Sequence, residues 1–364
     1  MRAIHIVQKV LHARFVCGPI ACIALCLVDL PLPAAEVMLS IRLVEPDLPT
    51  RLTSGPQWKI YLAGVIDDAA VERLGRAIKA QNVKFATVFL NSPGGSLFAG
   101  VRLGHLFREL GFSTYVGKAA ISGGHEEPAK CYSACVFAFI GGYFRYLNSG
   151  STIGVHRFSK TTTSPADLDI AQEVSTTIIA YLAEMGVDVA LFELMSRAGK
   201  DEIRILPDML AKRYRVVNNG FQPSSWSIEA LEQGLYLRGV QEAWYGTGKA
   251  LFSCVKGGQI IFQAMYGVGE KAQEIVMGSI RHSFRVGEDF LPLENPLHPV
   301  REANGYLVAS FVLPKEYVIF LSKAEAVGYA AHPPNPDLFW GFKVEIGDAH
   351  GKIDAFVKAC KARF

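Results

Sequence analysis

The stretch Phe89-Leu90-Asn91-Ser92-Pro93-Gly94-Gly95-Ser96-Leu97-Phe98-Ala99-Gly100 decides the fold of the central part of this sequence. The residues before Asn91 form an apolar run typical of a buried strand, and apolar residues at helical spacing follow Ser96. Glycines permit a sharp turn that leaves backbone N–H groups free. The stretch predicts a strand, a tight turn and a helix, and such a turn can hold an anion or a developing oxyanion. A plain strand-to-helix turn is the alternative interpretation.

The segments around this stretch also alternate between predicted strands and predicted helices. Residues 58–66 favour a strand, 67–80 a helix, 84–90 a second strand, 96–110 a second helix and 113–116 a third strand. A β-α-β-α-β order is typical of a parallel sheet with crossover helices. We therefore predict an α/β fold for this part of the chain.

A candidate nucleophile follows in Cys131-Tyr132-Ser133-Ala134-Cys135, where an apolar, helix-length run begins. A serine at a helix start can be activated by a neighbouring base, while the next amide points at the reacting oxygen. A serine that only caps the helix or packs in the core is the alternative for Ser133.

A candidate base lies 23 residues later, in Gly154-Val155-His156-Arg157-Phe158, at the end of a predicted strand. The ordinary pKa of histidine suits a general base near neutral pH. Alone, His156 is equally explained as a surface residue at a strand end. The order of glycine turn, serine and histidine is a stronger signal than any one of them.

This order resembles the Clp protease proteolytic subunit and its crotonase-like superfamily, over residues 58–217. The resemblance implies that Ser133 attacks a carbonyl and that His156 takes its proton. It also implies that backbone N–H groups of Gly95 and Ala134 stabilise the oxyanion, with Gly94 shaping the turn.

The third member of the triad in this family is an aspartate from a later helix–loop region. The matching stretch here runs from Ser196 to Arg204, and it offers Asp201 as our choice and Glu202 as the alternative. Neither falls cleanly on the family position. The sequence departs from the family in three further ways. Cysteines flank Ser133, the loop Ser122–Pro128 is longer and more acidic, and the C-terminal β-rich domain has no counterpart in the Clp subunit.

Four cysteines follow the first 35 residues: Cys131, Cys135, Cys254 and Cys360. Four cysteines permit three pairings, and an even number in an exported protein suggests disulfides. We favour Cys131–Cys135 and Cys254–Cys360, with four reduced, buried thiols as the alternative. His125, six residues upstream, is the one histidine near the CxxxC motif at zinc-ligand spacing, so the sequence favours disulfides over a zinc site.

The first 35 residues read as an export signal. Arg2, Lys9 and Arg14 precede an apolar stretch, and Ala35 is a plausible cleavage point. We predict a signal peptide (1–35) and a periplasmic or secreted protein, with peripheral membrane contact only if the signal stays uncleaved. Beyond it we predict the α/β domain at 36–225 and a small C-terminal β-rich domain at 226–364.

Composition excludes several function classes. The formal net charge of +3 falls to about +1 without the signal, so there is no bulk attraction to nucleic acid. No motif for ATP, zinc or NAD appears, and we expect no cofactor. Our first hypothesis is a serine hydrolase, a peptidase acting on a peptide or protein substrate.

Two rival hypotheses and an assembly question remain open. The first rival is a non-catalytic periplasmic binding or assembly module on the same fold. The second is a crotonase-like enzyme acting on an acyl thioester, which usually needs coenzyme A, an improbable substrate outside the cytoplasm. The resemblance is also compatible with a homo-oligomer, since the superfamily forms rings or stacked trimers.

Overall fold

The computed structural model describes residues 38–49, 51, 56–120, 125–157, 167–199, 202–231, 234–255 and 257–362. A five-stranded sheet lies in the first half of this range. In spatial order its strands are β1 (Ser40–Val44), β2 (Gln57–Ala63), β3 (Phe85–Asn91), β4 (Ser113–Val116) and β6 (Arg145–Leu147). Strands β2, β3, β4 and β6 are mutually parallel, as the alternation of segments predicts, while β1 adds an antiparallel edge.

Helices connect the parallel strands of this sheet. They are α1 (Ala70–Ala80), α2 (Leu97–Glu109) and α3 (Ala134–Ile140). Helix α1 buries Ala70, Leu74 and Ile78, which are four residues apart and therefore share one face. Helix α2 begins at Ser96, whose side chain accepts a hydrogen bond from the Ala99 N–H. Strands and helices alternate along this part of the chain, as the predicted α/β fold requires.

A second, three-stranded sheet carries the candidate residues. Its strands are β5 (Lys130–Tyr132), β7 (Thr152–Val155) and β8 (Arg204–Ile205). The sequence pattern predicts one helix from Cys131 to Ile140, but its first residues form β5 because they pair with β7. The helices that follow are α4 (Asp167–Glu184), α5 (Ala190–Arg197) and α6 (Asp208–Arg213).

The C-terminal part is rich in strands, arranged in two sheets. The six-stranded sheet comprises, in chain order, β9 (Ser225–Leu231), β10 (Gly234–Ala243), β11 (Gly246–Val255), β12 (Gln259–Gly267), β15 (Arg301–Ala303) and β16 (Tyr306–Leu313). The four-stranded sheet comprises β13 (Arg281–Val286), β14 (Asp289–Leu293), β17 (Ala326–His332) and β18 (Trp340–Glu345).

Three helices accompany these strands: α7 (Lys271–Gly278), α8 (Val318–Lys323) and α9 (His350–Ala362), with a 3-10 turn at Gly347–Ala349. The apolar run at 317–321 suggests a strand from composition, but the chain forms α8 there. A short apolar run does not distinguish a buried strand from a buried helix, so composition alone does not predict α8.

Two hydrophobic clusters fill the described chain. One extends from Leu39 to Val217 and the other from Trp226 to Cys360. Both belong to one compact unit, residues 37–364, so the predicted division after residue 225 stays a prediction. The predicted signal peptide lies outside the described residues. None of the helices within the described ranges has the length and apolar character needed to cross a membrane.

Candidate active site

Two adjacent parallel strands bring the candidate nucleophile and base together. Strands β5 and β7 pair in parallel, with Tyr132 opposite Gly154. Ser133 directly follows β5, and His156 directly follows β7. Because the carboxyl ends of parallel strands meet at the same edge, residues 23 positions apart in sequence become neighbours.

The side chains of Ser133 and His156 form a hydrogen bond. Ser133 Oγ lies 2.7 Å from His156 Nε2, and both residues are half-buried. His156 Nδ1 lies 2.8 Å from the carbonyl oxygen of Arg157. Because a carbonyl only accepts, Nδ1 carries the proton in the neutral ring, and Nε2 is left to accept from the serine hydroxyl. This is the tautomer that a general base requires.

The backbone of Ser133 adopts a conformation that non-glycine residues avoid. Its φ is 56° and its ψ is −123°, which costs about 1–3 kcal/mol. Two hydrogen bonds hold it there: its N–H donates to Gly154 O at 2.9 Å, and its carbonyl accepts from Val136 N at 3.0 Å. The serine therefore lies on a sharp strand-to-helix turn that projects its side chain toward His156.

A disulfide brackets this turn. Cys131 and Cys135 are bonded, with their Cα atoms 5.2 Å apart, and both are fully buried. Cys131 lies in β5 and Cys135 in α3, so the bond ties the strand before Ser133 to the helix after it. A second disulfide joins Cys254 and Cys360. These are the two pairings that the sequence analysis favours.

The glycine turn lies directly against the serine. Ser92, which directly follows β3, donates its N–H to Lys130 O at 2.8 Å, and its carbonyl oxygen accepts from Tyr132 N at 3.1 Å. These bonds attach the turn to β5. A Cβ added to Gly94, whose φ is 115°, would lie 2.7 Å from Ser133 Cβ. Only glycine fits at this position.

The next residue of the turn is equally restricted. Gly95 has a φ of 138°, and a Cβ there would lie 2.2 Å from the carbonyl oxygen of Ile66. The backbone N–H of Gly95 and that of Ala134, at the first position of α3, have no acceptor among the described residues. Both are therefore available as donors beside Ser133.

The acidic member of the predicted triad is not among the described residues. Asp201 lies outside them, and the alternative, Glu202, is exposed. Strand β8 runs antiparallel to β7, with Arg204 opposite Val155, so the chain before β8 leads toward the end of β7 that carries His156. Within the described residues, the partner of His156 Nδ1 is the Arg157 carbonyl, which sequence reasoning missed because no side-chain pattern marks it.

An apolar surface covers Gly154, two residues before His156. A Cβ at Gly154 would lie 2.4 Å from Ile203 Cγ2 and 2.6 Å from Tyr132 Cδ1, so those side chains meet over the glycine. Ile203 is 39% exposed. A glycine inside a predicted strand signals such a close approach, and this signal could have identified Gly154 from the sequence.

The acidic loop before β5 is attached to the five-stranded sheet. Glu126 accepts a hydrogen bond from Lys59 at 2.6 Å and from the Tyr61 hydroxyl at 3.2 Å. Burial raises the pKa of the Glu126 carboxyl. The hydrogen bond and charge of Lys59, the backbone N–H of Glu126 and the Tyr61 hydroxyl together outweigh burial, and the net pKa lies below its ordinary value. Burial, followed by the Glu126 charge, raises the pKa of Tyr61 to about 12. The described residues contain no group of His, Cys, Asp and Glu able to hold a metal ion.

Comparisons with known proteins add two distant structural likenesses. No family model matches the sequence, and no curated protein matches it. A mutant of the membrane-bound stomatin-specific protease 1510-N is 18% identical, with a TM-score of 0.31, and the match covers 44% of this chain and 75% of that one. A ClpP1 mutant from Listeria monocytogenes is 16% identical, with a TM-score of 0.33, covering 44% of this chain and 88% of that one.

Proposed function

We propose that this protein is a serine hydrolase, a peptidase that works through an acyl-enzyme on Ser133. The observation that carries the proposal is the 2.7 Å contact between Ser133 Oγ and His156 Nε2, on a serine held in a strained strand-to-helix turn. Activated nucleophiles have a base within this distance and a third group that orients the base. Here the Arg157 carbonyl bonds the other ring nitrogen.

In the proposed reaction, His156 Nε2 removes the hydroxyl proton as Ser133 Oγ attacks the substrate carbonyl. The backbone N–H groups of Gly95 and Ala134 donate to the oxyanion. His156 then gives its proton to the leaving amine, which leaves an acyl group on Ser133. Water, deprotonated by His156, then attacks the acyl carbon. The bond from that carbon to Ser133 Oγ breaks, His156 returns the proton to Oγ, and the carboxylic acid leaves.

The surroundings support a peptide-like substrate with an apolar side chain. Tyr132 and Ile203 form a surface over Gly154, two residues before His156, and burial of an apolar group there would contribute to binding. Asp201, with Glu202 as the alternative, remains our proposed source of an orienting carboxylate, carried by the segment that precedes β8. The superfamily resemblance and the glycine turn point to the same reaction class.

We also propose that the protein acts outside the cytoplasm. Two disulfides suit an oxidising compartment. The predicted signal in residues 1–35 is the second argument. Sequencing the N-terminus of protein recovered from the cell envelope tests this, since cleavage near Ala35 is expected and an intact Met1 on soluble protein would contradict it.

Labelling with a fluorophosphonate probe tests the proposed nucleophile. The oxidised wild type should be labelled, and Ser133→Ala should not, although it keeps its circular dichroism spectrum and melting temperature. Folded wild type that resists the probe in both oxidising and reducing buffer would instead favour the non-catalytic binding module. Incubation with a mixed peptide library, read by mass spectrometry, then distinguishes a peptidase from an esterase.

A further inference from the structure

A polar cavity lies where the residues after α6 meet the C-terminal strands. Its volume is about 390 Å³, the size of a small-molecule site rather than a groove for a polypeptide. The lining residues that matter here are Arg145, Lys212, Arg215, Asn219, Gln222 and Glu345. Three cations and one carboxylate make this lining electropositive.

Arg145 forms the buried part of this lining and is only 3% exposed. Nearly all of its N–H groups donate to main-chain carbonyls: those of Ile140, Gly142, Met185, Val216 and Arg215. Its Nη2 uses a single acceptor, which leaves one N–H without a partner among the described residues.

No carboxylate in the described chain pairs with Arg145. Burial, and then the charge of nearby Arg108, lower the pKa of the Arg145 guanidinium to about 9. Carbonyl oxygens at the ends of α3 and α4 offset part of its charge. A buried cation without an anionic partner is costly, so a bound anion would stabilise this arrangement.

Lys212 and Arg215 supply two more cations at the rim. Both residues are exposed, and neither has an acidic partner in the part of the chain that the structure describes. Cations that outnumber the carboxylates around a cavity raise the local concentration of anions. Asn219 and Gln222 add amide groups to the same lining.

The backbone at Arg215 is unfavourable for arginine. Its φ is 56°, in the left-handed region where helices usually end on glycine. The Arg215 N–H donates to Lys212 O at 2.9 Å, and its carbonyl accepts from Arg145 Nη2 at 2.7 Å. An arginine here carries a cost that glycine would avoid, and it places a third guanidinium or ammonium group beside the cavity.

We propose that this cavity binds a small, doubly charged oxyanion, either phosphate or the carboxylates of a small organic acid. Arg145 provides the buried positive charge, while Lys212 and Arg215 close over the anion from the rim. The site is separate from Ser133 and His156 and does not depend on the proposed hydrolase activity.

Calorimetric titration of the full chain at low salt, with inorganic phosphate and separately with succinate, tests the proposal. We expect one site per chain for at least one of the two anions, accompanied by a rise in melting temperature. Phosphate without succinate identifies a phosphate site, and the reverse identifies a carboxylate site. Each lost charge-assisted hydrogen bond should weaken binding about 10-fold or more.

The variants are Lys212→Ala and Arg215→Gly, because glycine keeps the left-handed backbone while removing the guanidinium. Lys361→Ala is the matched control, since Lys361 is an exposed lysine that lines a different cavity. Both cavity variants should bind the anion more weakly than wild type, and the control should bind as wild type does. Unchanged affinity in both variants, or no binding by folded wild type at about 10 mM of either anion, would overturn the proposal.

Discussion

Within the described residues, two serine hydroxyls hydrogen-bond to a histidine ring, and comparing the two pairs shows what distinguishes a candidate nucleophile from a structural hydroxyl. Ser133 Oγ lies 2.7 Å from His156 Nε2, and Ser283 Oγ lies 3.0 Å from His332 Nε2. Both are ordinary hydrogen-bond distances. The distance between the side chains therefore does not distinguish the pairs.

The backbones of the two serines differ. Ser283 lies in the middle of β13, paired with Pro292 on one side and Ala330 on the other. A strand residue flanked by two strands has its main chain committed to the sheet. Ser133 instead follows a strand at a positive φ, near the N–H groups of Gly95 and Ala134, which have no acceptor among the described residues. The donors for an oxyanion, and not the histidine, distinguish the first pair as the candidate catalytic pair.

The two disulfides also differ, in the length of chain that each one closes. Cys131–Cys135 closes a separation of four residues around Ser133, and Cys254–Cys360 closes a separation of 106 residues. In the chain-entropy model a loop of about 100 residues contributes roughly 4–5 kcal/mol, and a very short loop much less. We therefore expect the first bond to position Ser133, the proposed nucleophile, and the second to stabilise the C-terminal cluster.

Removal of His156, the proposed base, should have the largest effect on the rate of labelling. His156→Ala should slow fluorophosphonate labelling by roughly 10²–10⁴-fold, because no group remains to accept the hydroxyl proton. His332→Ala, the matched variant in the second pair, should label at the wild-type rate. Equal loss in both variants would show that the contrast between the pairs is wrong.

A methyl group at the glycine turn should have the next largest effect. Gly94→Ala places a Cβ against Ser133 and should slow labelling about 100-fold, as small displacements of a reacting group do. Gly111→Ala is the control, since Gly111 also has a positive φ, 65°, but open space around its Cβ. Equal slowing of labelling in both variants would show that the cost of alanine at a positive φ, and not contact with Ser133, explains the loss.

Removing each disulfide should affect different properties. The double variant Cys131→Ala/Cys135→Ala should label about 10-fold more slowly, with little change in the free energy of unfolding. The double variant Cys254→Ala/Cys360→Ala should lose roughly 4 kcal/mol of stability in urea titration and, while folded, label normally. Slow labelling without the Cys254–Cys360 bond, together with a large loss of stability without the Cys131–Cys135 bond, would contradict these roles.

The Ser283–His332 pair should have the smallest effect, a loss of stability at acidic pH. Burial lowers the pKa of His332, with Arg281 and Arg285 adding to the effect, and burial also lowers the pKa of His282. Both rings then bind protons less readily when folded than their ordinary pKa of 6.5 predicts. Stability should be fully present above pH 6.5 and fall as the pH drops below it. Denaturant titrations between pH 8 and pH 5 measure this, and His332→Gln should reduce the slope.

Sequence patterns could predict the parallel sheet and the glycine turn, because both follow from local periodicity and from the backbone freedom of Gly94 and Gly95. They could not predict β5, since its three residues are helix-compatible and become a strand only by pairing with β7. The Arg157 carbonyl and the cavity around Arg145 arise from main-chain groups brought together by the fold, and no residue pattern encodes them.

Peptide mapping of the labelled protein tests the central claim most directly. After fluorophosphonate treatment, reduction and trypsin digestion, the peptide from Cys131 to Arg145 should carry the label on Ser133, and the peptide from His282 to Arg285 should carry none. A label on Ser283 or on any other serine, with Ser133 unmodified in folded protein, would contradict the assignment of Ser133 as the nucleophile.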